Sequence, residues 1–283
     1  PGKNDTANIG RGKPVTYKTG GAVEAIKNTE PTLERAGPYR LTRELGRGGM
    51  GVVFKAFDGS LNRYVAIKLM SPLYLGSGAA KQRFVREARS AAAVIHENVV
   101  GIHSISEWQG IPYLVMTFIR GESLQKRLAQ RGALSVKEVL RIGMQVAQGL
   151  AAAHAQGLIH RDIKPANILL ETEVDRVKIT DFGLARAVDD IQLTGSNLVL
   201  GTPEYMSPEQ ASGQPIDHRS DIFSTGILLY EMITHKRMFT GGDTLQILAK
   251  VSKAEFEPPE TARTGLHPKI YQIINKGLTK DRE

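Results

Sequence analysis

The chain has 283 residues, 41% hydrophobic and 23% charged, which excludes collagen-like, coiled-coil and wholly disordered classes and leaves one large domain, or two lobes, with attached tails. Its 37 Lys and Arg outnumber 29 Asp and Glu for a formal charge of +8, compatible with nucleic acid, anionic lipid or phosphate-rich ligands, but the basic residues are scattered and aromatics are only 6%, so an ordinary solvated surface is expected rather than a nucleic-acid one. The absence of cysteine excludes a disulfide framework, a thiolate metal site and a cysteine nucleophile, and no apolar run is long enough to span a membrane.

Residues 1–37 carry six Gly, three Pro and five Thr against five Val, Ile and Leu together, too little apolar surface to offset the entropy of ordering, so this segment is expected to be a disordered tail. The chain opens at Pro1 without an initiator methionine, as a piece of a larger protein would. From Pro38 onward, β-like runs at Tyr39–Leu45, Val52–Phe57 and Tyr64–Met70 alternate with Gly, Asp and Asn turn signals, predicting an antiparallel meander. A helix is predicted over Lys81–Ile95, with Phe84, Ala88, Ala91 and Ile95 on one face, and a further strand over Pro112–Ile119. Past Gly121 the pattern turns helical. Ser135 and Glu138 predict a capping box for a helix with Leu140, Met144, Ala147 and Ala151 on its buried face, stopping near Gly157. Asp221–Thr234 is apolar nearly all round, as a helix buried in the middle of a bundle would be.

Gly46, Gly48 and Gly51 follow a GxGxxG spacing, and missing side chains let backbone N–H groups approach phosphate oxygens. Val52, Val53 and Phe54 continue as strand instead of opening a helix, which disfavours a dinucleotide-dependent oxidoreductase and sets the glycines at a hairpin tip. A plain flexible hairpin would look the same. Seventeen residues after Gly51, Lys68 ends the run VAIK, with Val65 and Ile67 on one strand face and Ala66 and Lys68 on the other. Glu87 shares a helix face with Phe84, Ala88 and Ala91, so its carboxylate points toward the core and needs a cation, because an unpaired buried charge costs about 3–5 kcal/mol. Lys68 across the sheet and Arg83 one turn earlier are the two candidates. The run HRDIKPAN sets Asp162 five residues before Asn167, and Asp181 opens DFG nineteen residues after Asp162. Asn167 and Asp181 can hold Mg²⁺ against phosphate oxygens, since Mg²⁺ takes a few oxygen ligands plus phosphate, and Asp162 is left to orient a hydroxyl. GTPEYMSPEQ then brings Thr202, Pro208 and Glu209.

From about Tyr39 to its end the chain resembles the eukaryotic-type (Hanks-type) protein kinases, whose motif set these residues follow in order. In its SPEQ run it is most similar to bacterial serine/threonine protein kinases. The resemblance implies an α+β bilobal kinase fold across residues 38–283, with a small β-rich lobe carrying one helix over about 38–117 and a larger, mainly helical lobe over about 121–283. It also implies a final helix, and an arginine partner for Glu209, past Glu283.

The same resemblance implies that Gly46, Gly48 and Gly51 cover the phosphates of ATP, and that Lys68, held by Glu87, contacts the α- and β-phosphates. Asn167 and Asp181 would bind Mg²⁺, with Mn²⁺ as a substitute. Asp162 would take or orient the acceptor proton, and Lys164 would neutralise γ-phosphoryl charge. Adenine would lie between Val53, Ala66 and Leu169, with Met116 as gatekeeper and hinge backbone at Thr117, Phe118 and Ile119. Lys164 with Thr202 marks serine/threonine rather than tyrosine specificity, so the partners implied are protein substrates. Arg161 marks an activation segment ordered by phosphate, with Thr194 and Ser196 as autophosphorylation sites and dimerisation as a route to them. Glu209 and Asp221 would be structural. A cytoplasmic location follows, in a free or membrane-anchored parent protein. The competing expectation is a pseudokinase scaffold, against which stands the presence of Lys68, Glu87, Asp162, Asn167 and Asp181 together.

Overall fold

The computed structural model describes residues 34–49, 51–71, 78–172, 174, 176–182 and 202–280. Most of the expected tail, together with Thr194 and Ser196, lies outside the described residues.

Six antiparallel strands make the first layer, β1 (Arg35–Ala36), β2 (Tyr39–Gly48), β3 (Gly51–Asp58), β4 (Arg63–Met70), β5 (Ile102–Trp108) and β6 (Ile111–Thr117), in the order β1-β2-β3-β4-β6-β5. The period-2 alternation of β4 has direct consequences. Val65, Ile67 and Leu69 join one apolar cluster with Ala36, Ala56, Tyr113 and Val115, while Ala66 and Met70 join another with Phe84, Ala88, Leu114 and Met116. Lys68 therefore emerges on the face covered by helix α1 (Gly78–Ala93). The three expected strands of the meander are present, and β5 is a strand that the sequence reading missed.

The expected buried face of α1 needs one correction. Phe84, Ala88 and Ala91 are buried, but Ile95 is 93% exposed, because the helix ends at Ala93 and Val94 turns inward in its place.

The second layer opens with β7 (Gly121–Ser123), α2 (Leu124–Arg131) and α3 (Val136–His154), followed by β8 (Ile168–Glu171) and β9 (Val177–Ile179), which complete a small antiparallel sheet β7-β8-β9. Helices α4 (Pro208–Ala211), α5 (Arg219–Thr234), α6 (Thr244–Lys253), α7 (Pro259–Ala262) and α8 (Pro268–Gly277) complete it. α5 is buried along most of its circumference, as predicted, with Phe223, Ile227, Leu228, Tyr230, Met232 and Ile233 in the large cluster.

On α3 the expected face is the wrong one. Leu140, Met144, Ala147 and Ala151 all face solvent, and the core takes Val139, Ile142, Val146, Leu150 and Ala153. The helix is apolar on two sides, and the face with β-branched residues packs on α5 and β9. Its cap is also half of what was expected. Ser135 Oγ accepts from Glu138 N at 3.3 Å, but the Glu138 carboxylate accepts from Arg127 Nη1 at 2.9 Å instead of returning to the cap, because a cation on α2 outcompetes a neutral backbone N–H. Among the described residues no helix is long and apolar enough to cross a membrane.

Candidate active site

Between the six-stranded sheet and the helical layer lies a cleft of about 1280 Å³. Its roof is set by strand register. Val53 faces Lys68 across β3 and β4, and Ala66 faces Met116 across β4 and β6, so these four neighbours line the cleft together, with Gly46, Gly48 and Gly51 at its edge. Phe118 and Ile119 line its back where the chain leaves β6, and Leu169 on β8 lines the floor.

The loop before β8 is held by a buried carboxylate. Asp221, at the start of α5 and fully buried, accepts from His160 N and Arg161 N at 2.8 Å each and from His154 Nε2 at 2.7 Å. Two backbone donors that would otherwise be orphaned are thereby satisfied, and Arg161 is stabilised in the left-handed region at φ 69°. Gln210 Nε2 donates to Arg161 O at 2.8 Å. His160 completes the brace. Its Nδ1 accepts from Asp162 N at 3.2 Å, which assigns the ring proton to Nε2, and Nε2 donates to Thr180 O at 2.8 Å. The ring also packs edge-on to Phe182 with centroids 4.6 Å apart.

Asp162, thus placed, has Lys164 Nζ 2.9 Å from its Oδ2 and accepts from Asn167 Nδ2 at 3.0 Å. Lys164 also donates to Thr202 Oγ1 at 3.3 Å. Asn167 Nδ2 is further used on Asp162 O at 2.7 Å, so the amide keeps its oxygen as acceptor. Asp181, itself left-handed at φ 67°, presents its carboxylate from the segment after β9. Burial opposes its ionisation, but the Lys68 ammonium, with Lys164 adding to it, outweighs that and holds the carboxyl below the ordinary range. Asp162, Lys164, Asn167 and Asp181 all line the cleft, as do Arg161 and Thr202.

Two expectations about Glu87 are corrected. Lys68 Nζ lies 2.9 Å from Asp181 Oδ1, so the strand lysine is spent on the aspartate rather than on Glu87. Arg83 is not the partner either: among the described residues the cation within ion-pair distance of Glu87 is Arg86, and Arg83 Nε is buried without a hydrogen bond. Glu87 is buried and takes Arg86, the next residue toward the N-terminus, at 3.7 Å. The reason is competition for one ammonium: Asp181 takes Lys68 Nζ at 2.9 Å, which leaves the Glu87 carboxylate the neighbouring guanidinium at 3.7 Å.

Glu209 is buried and accepts from Ser220 Oγ; neither it nor Asp221 lines the cleft. Tyr205, Gln210 and Arg237 do line it and were missed. Tyr205 donates to Glu231, a pairing of residues far apart in sequence that no local pattern signals. Among the described residues no group of three or more His, Asp and Glu could hold a metal by itself. The carboxylate of Asp181 and the amide oxygen of Asn167 are hard oxygen donors, which suit a hard cation that completes its shell with phosphate oxygens.

Comparison with known proteins agrees with this architecture. A family model described as protein kinase domain matches residues 39–283. The chain is 39% identical over 251 residues to the serine/threonine-protein kinase PknA of Mycobacterium tuberculosis, covering 87% of this chain and 57% of that protein. It is 37% identical over 246 residues to the serine/threonine-protein kinase PrkC of Bacillus subtilis, covering 87% and 38%, so it spans between about two-fifths and three-fifths of these relatives' lengths. The crystal structure of the Mycobacterium tuberculosis PknI kinase domain superposes with a TM-score of 0.69 at 23% identity, covering 89% of this chain and 92% of that one, which establishes the shared fold. With residues 39–283 matched by one family model, this chain belongs to the protein kinase domain family.

Proposed function

We propose that this chain transfers the γ-phosphoryl group of ATP to serine or threonine hydroxyls of proteins. The single observation that carries the reading is the network around Asp162, whose carboxylate meets Lys164 at 2.9 Å and Asn167 at 3.0 Å inside the same cleft that Lys68 and Asp181 line. The relatives' names as serine/threonine-protein kinases support it. The proposed domain runs over 38–283, its two lobes meeting near Thr117–Gly121.

On this reading the roof residues Val53 and Ala66 and the floor residue Leu169 exclude water from the adenine. Gly46, Gly48 and Gly51 offer backbone N–H groups to the phosphates, and Lys68 neutralises their charge. Asp181 and Asn167 would hold Mg²⁺, which would supply screening of the charge on the phosphate oxygens against the incoming hydroxyl. Asp162 accepts the hydrogen bond of that hydroxyl and aligns it. Lys164 faces the charge that spreads over the transferring group, and its contact to Thr202 keeps it beside the acceptor.

Asp162→Asn should lower transfer of labelled γ-phosphate by about 10²-fold or more while ATP affinity changes little, because the side chain aligns the acceptor and not the nucleotide. Retained transfer in this variant would refute the assignment.

A further inference from the structure

The turn after α5 carries two adjacent basic residues that part company. Lys236 Nζ goes to Glu257 at 3.2 Å, whereas Arg237 lines the cleft beside Thr202, Tyr205, Met206 and Gln210. Arg237 is seated before any peptide arrives. Its guanidinium carbon stands 5.1 Å from the centre of the Tyr205 ring, Nη1 donates to the Tyr205 hydroxyl, and Nε is 3.5 Å from Glu231 Oε1. The backbone under it is fixed on both sides, by the left-handed cap of α5 at His235 and by the buried Met238 and Phe239, the latter stacked on Phe223.

Two opposite charges compete to set what a peptide meets here. Glu231 and Glu204 would favour a basic side chain, and Arg237 an acidic one. Accessibility decides between them. The Glu231 side chain is only 11% exposed and its oxygens are engaged by Tyr205 and Arg237, and Glu204 Oε2 is buried, while Arg237 is 41% exposed. Asp162, which also lines the cleft, is already paired with Lys164. Lys and Arg also outnumber Asp and Glu along the cleft lining as a whole.

We infer that Arg237 is a specificity-determining residue that selects protein segments carrying an Asp or Glu side chain close to the acceptor serine or threonine. The inference rests on the kinase reading and names the substrate class of the same site. Tyr205 and Glu231 act as positioning residues for the guanidinium, so less side-chain entropy is lost when a carboxylate docks.

A positional-scanning peptide library around a fixed acceptor, phosphorylated by the whole chain with Mg-ATP, tests it. At one position the chain should prefer Asp or Glu over Lys or Arg by about fivefold in kcat/KM, the scale of a partly exposed ion pair. Arg237→Gln, which keeps a donor for the Tyr205 hydroxyl, should lose that preference at that position alone, and Arg237→Lys should keep most of it. A basic or flat preference at every position in the unaltered chain overturns the inference without any variant, and so does an acidic preference that survives in Arg237→Gln. Mg-ATP binding with no transfer to any peptide overturns the kinase reading and this inference with it, whereas transfer without acidic preference overturns this inference alone.

Discussion

Lys68 on β4 and Asp181 after β9 form a 2.9 Å ion pair across the cleft, with the lysine side chain 6% and the aspartate side chain 23% exposed. The pair joins the two layers of the fold through the groups assigned to phosphate and metal. Asp181 has a lowered pKa, so the stabilisation it contributes is present above the ordinary carboxylate range and is lost as pH falls through the lowered value. In Lys68→Met the strongest force lowering that pKa is gone and burial dominates, which reverses the sign and makes the ionised aspartate a burden at neutral pH. The variant should be less stable by about 1–3 kcal/mol at neutral pH, with solvent moderating the cost, and the deficit should shrink in acid. Urea midpoints measured from about pH 7 down to pH 3 check this, and a deficit that stays constant would contradict it.

The three glycines of the hairpin differ in what fixes them. Gly51 has φ 146°, and a Cβ there would come within 2.0 Å of Leu69 O on β4, whereas Gly46 and Gly48 face open space. Gly51→Ala must therefore open the β3–β4 ladder and should cost about 2 kcal/mol or more in stability. Gly46→Ala and Gly48→Ala should melt within a degree or two of the unaltered chain, so that any loss of ATP affinity in them reports on the phosphates directly. Thermal melts of the three variants without nucleotide separate the two cases.

The contrast between α3 and the loop after it shows what a single sequence makes legible. Leu140, Met144, Ala147 and Ala151 have helical spacing as good as that of Val139, Ile142, Val146 and Leu150, and only the neighbouring α5 decides which set is buried. The residues of HRDIKPAN, by contrast, converge locally. Asp162, Lys164 and Asn167 contact one another within a few residues of chain, so their joint appearance in one cleft could be expected from their spacing. Ion-pair partners are the opposite case. Glu87 was recognised as a buried carboxylate in need of a cation, and that need is compatible with several cations. Which one it takes depends on the position of Asp181, a residue from the other layer that takes Lys68 for itself. Tyr205 comes from one segment and Glu231 with Arg237 from another, the end of α5 and the turn after it, and nothing in the local sequence signals their meeting.

Asp221 offers the sharpest test of the loop. It satisfies His160 N and Arg161 N and also binds His154, so Asp221→Ala leaves two backbone donors without partners and should cost about 3–5 kcal/mol. Asp221→Asn keeps one acceptor oxygen and sets an amide donor against a backbone donor, so it should fall between the two. Because Arg161 holds its left-handed conformation through this carboxylate, Asp162 should lose its alignment first. In Asp221→Asn, kcat for phosphoryl transfer should fall more than KM for ATP rises. Normal urea midpoints in both variants would show that the clamp is dispensable.

Glu231 gives the chain a second pH-sensitive group, of opposite sign to Asp181. Its carboxyl is pushed from 4.5 up to about 7, first by burial and then by the Glu204 carboxylate. The Arg237 guanidinium 3.5 Å away is two-fifths exposed and screened by solvent, so it does not restore the ordinary value, and the Tyr205 hydroxyl donates to the same carboxyl. Between those two values the folded chain holds a proton that the unfolded chain has released. Stability therefore falls as pH rises through this window, by up to about 3 kcal/mol, and is level above it. Glu231→Gln cannot ionise, so it should gain on the unaltered chain steadily from about pH 4.5 to about pH 7 and little beyond. Glu204→Gln removes the second cause and should shift the unaltered chain's falling limb to lower pH. Chemical denaturation of all three at several pH values is the measurement, and parallel profiles would show that Glu231 ionises normally within its buried site.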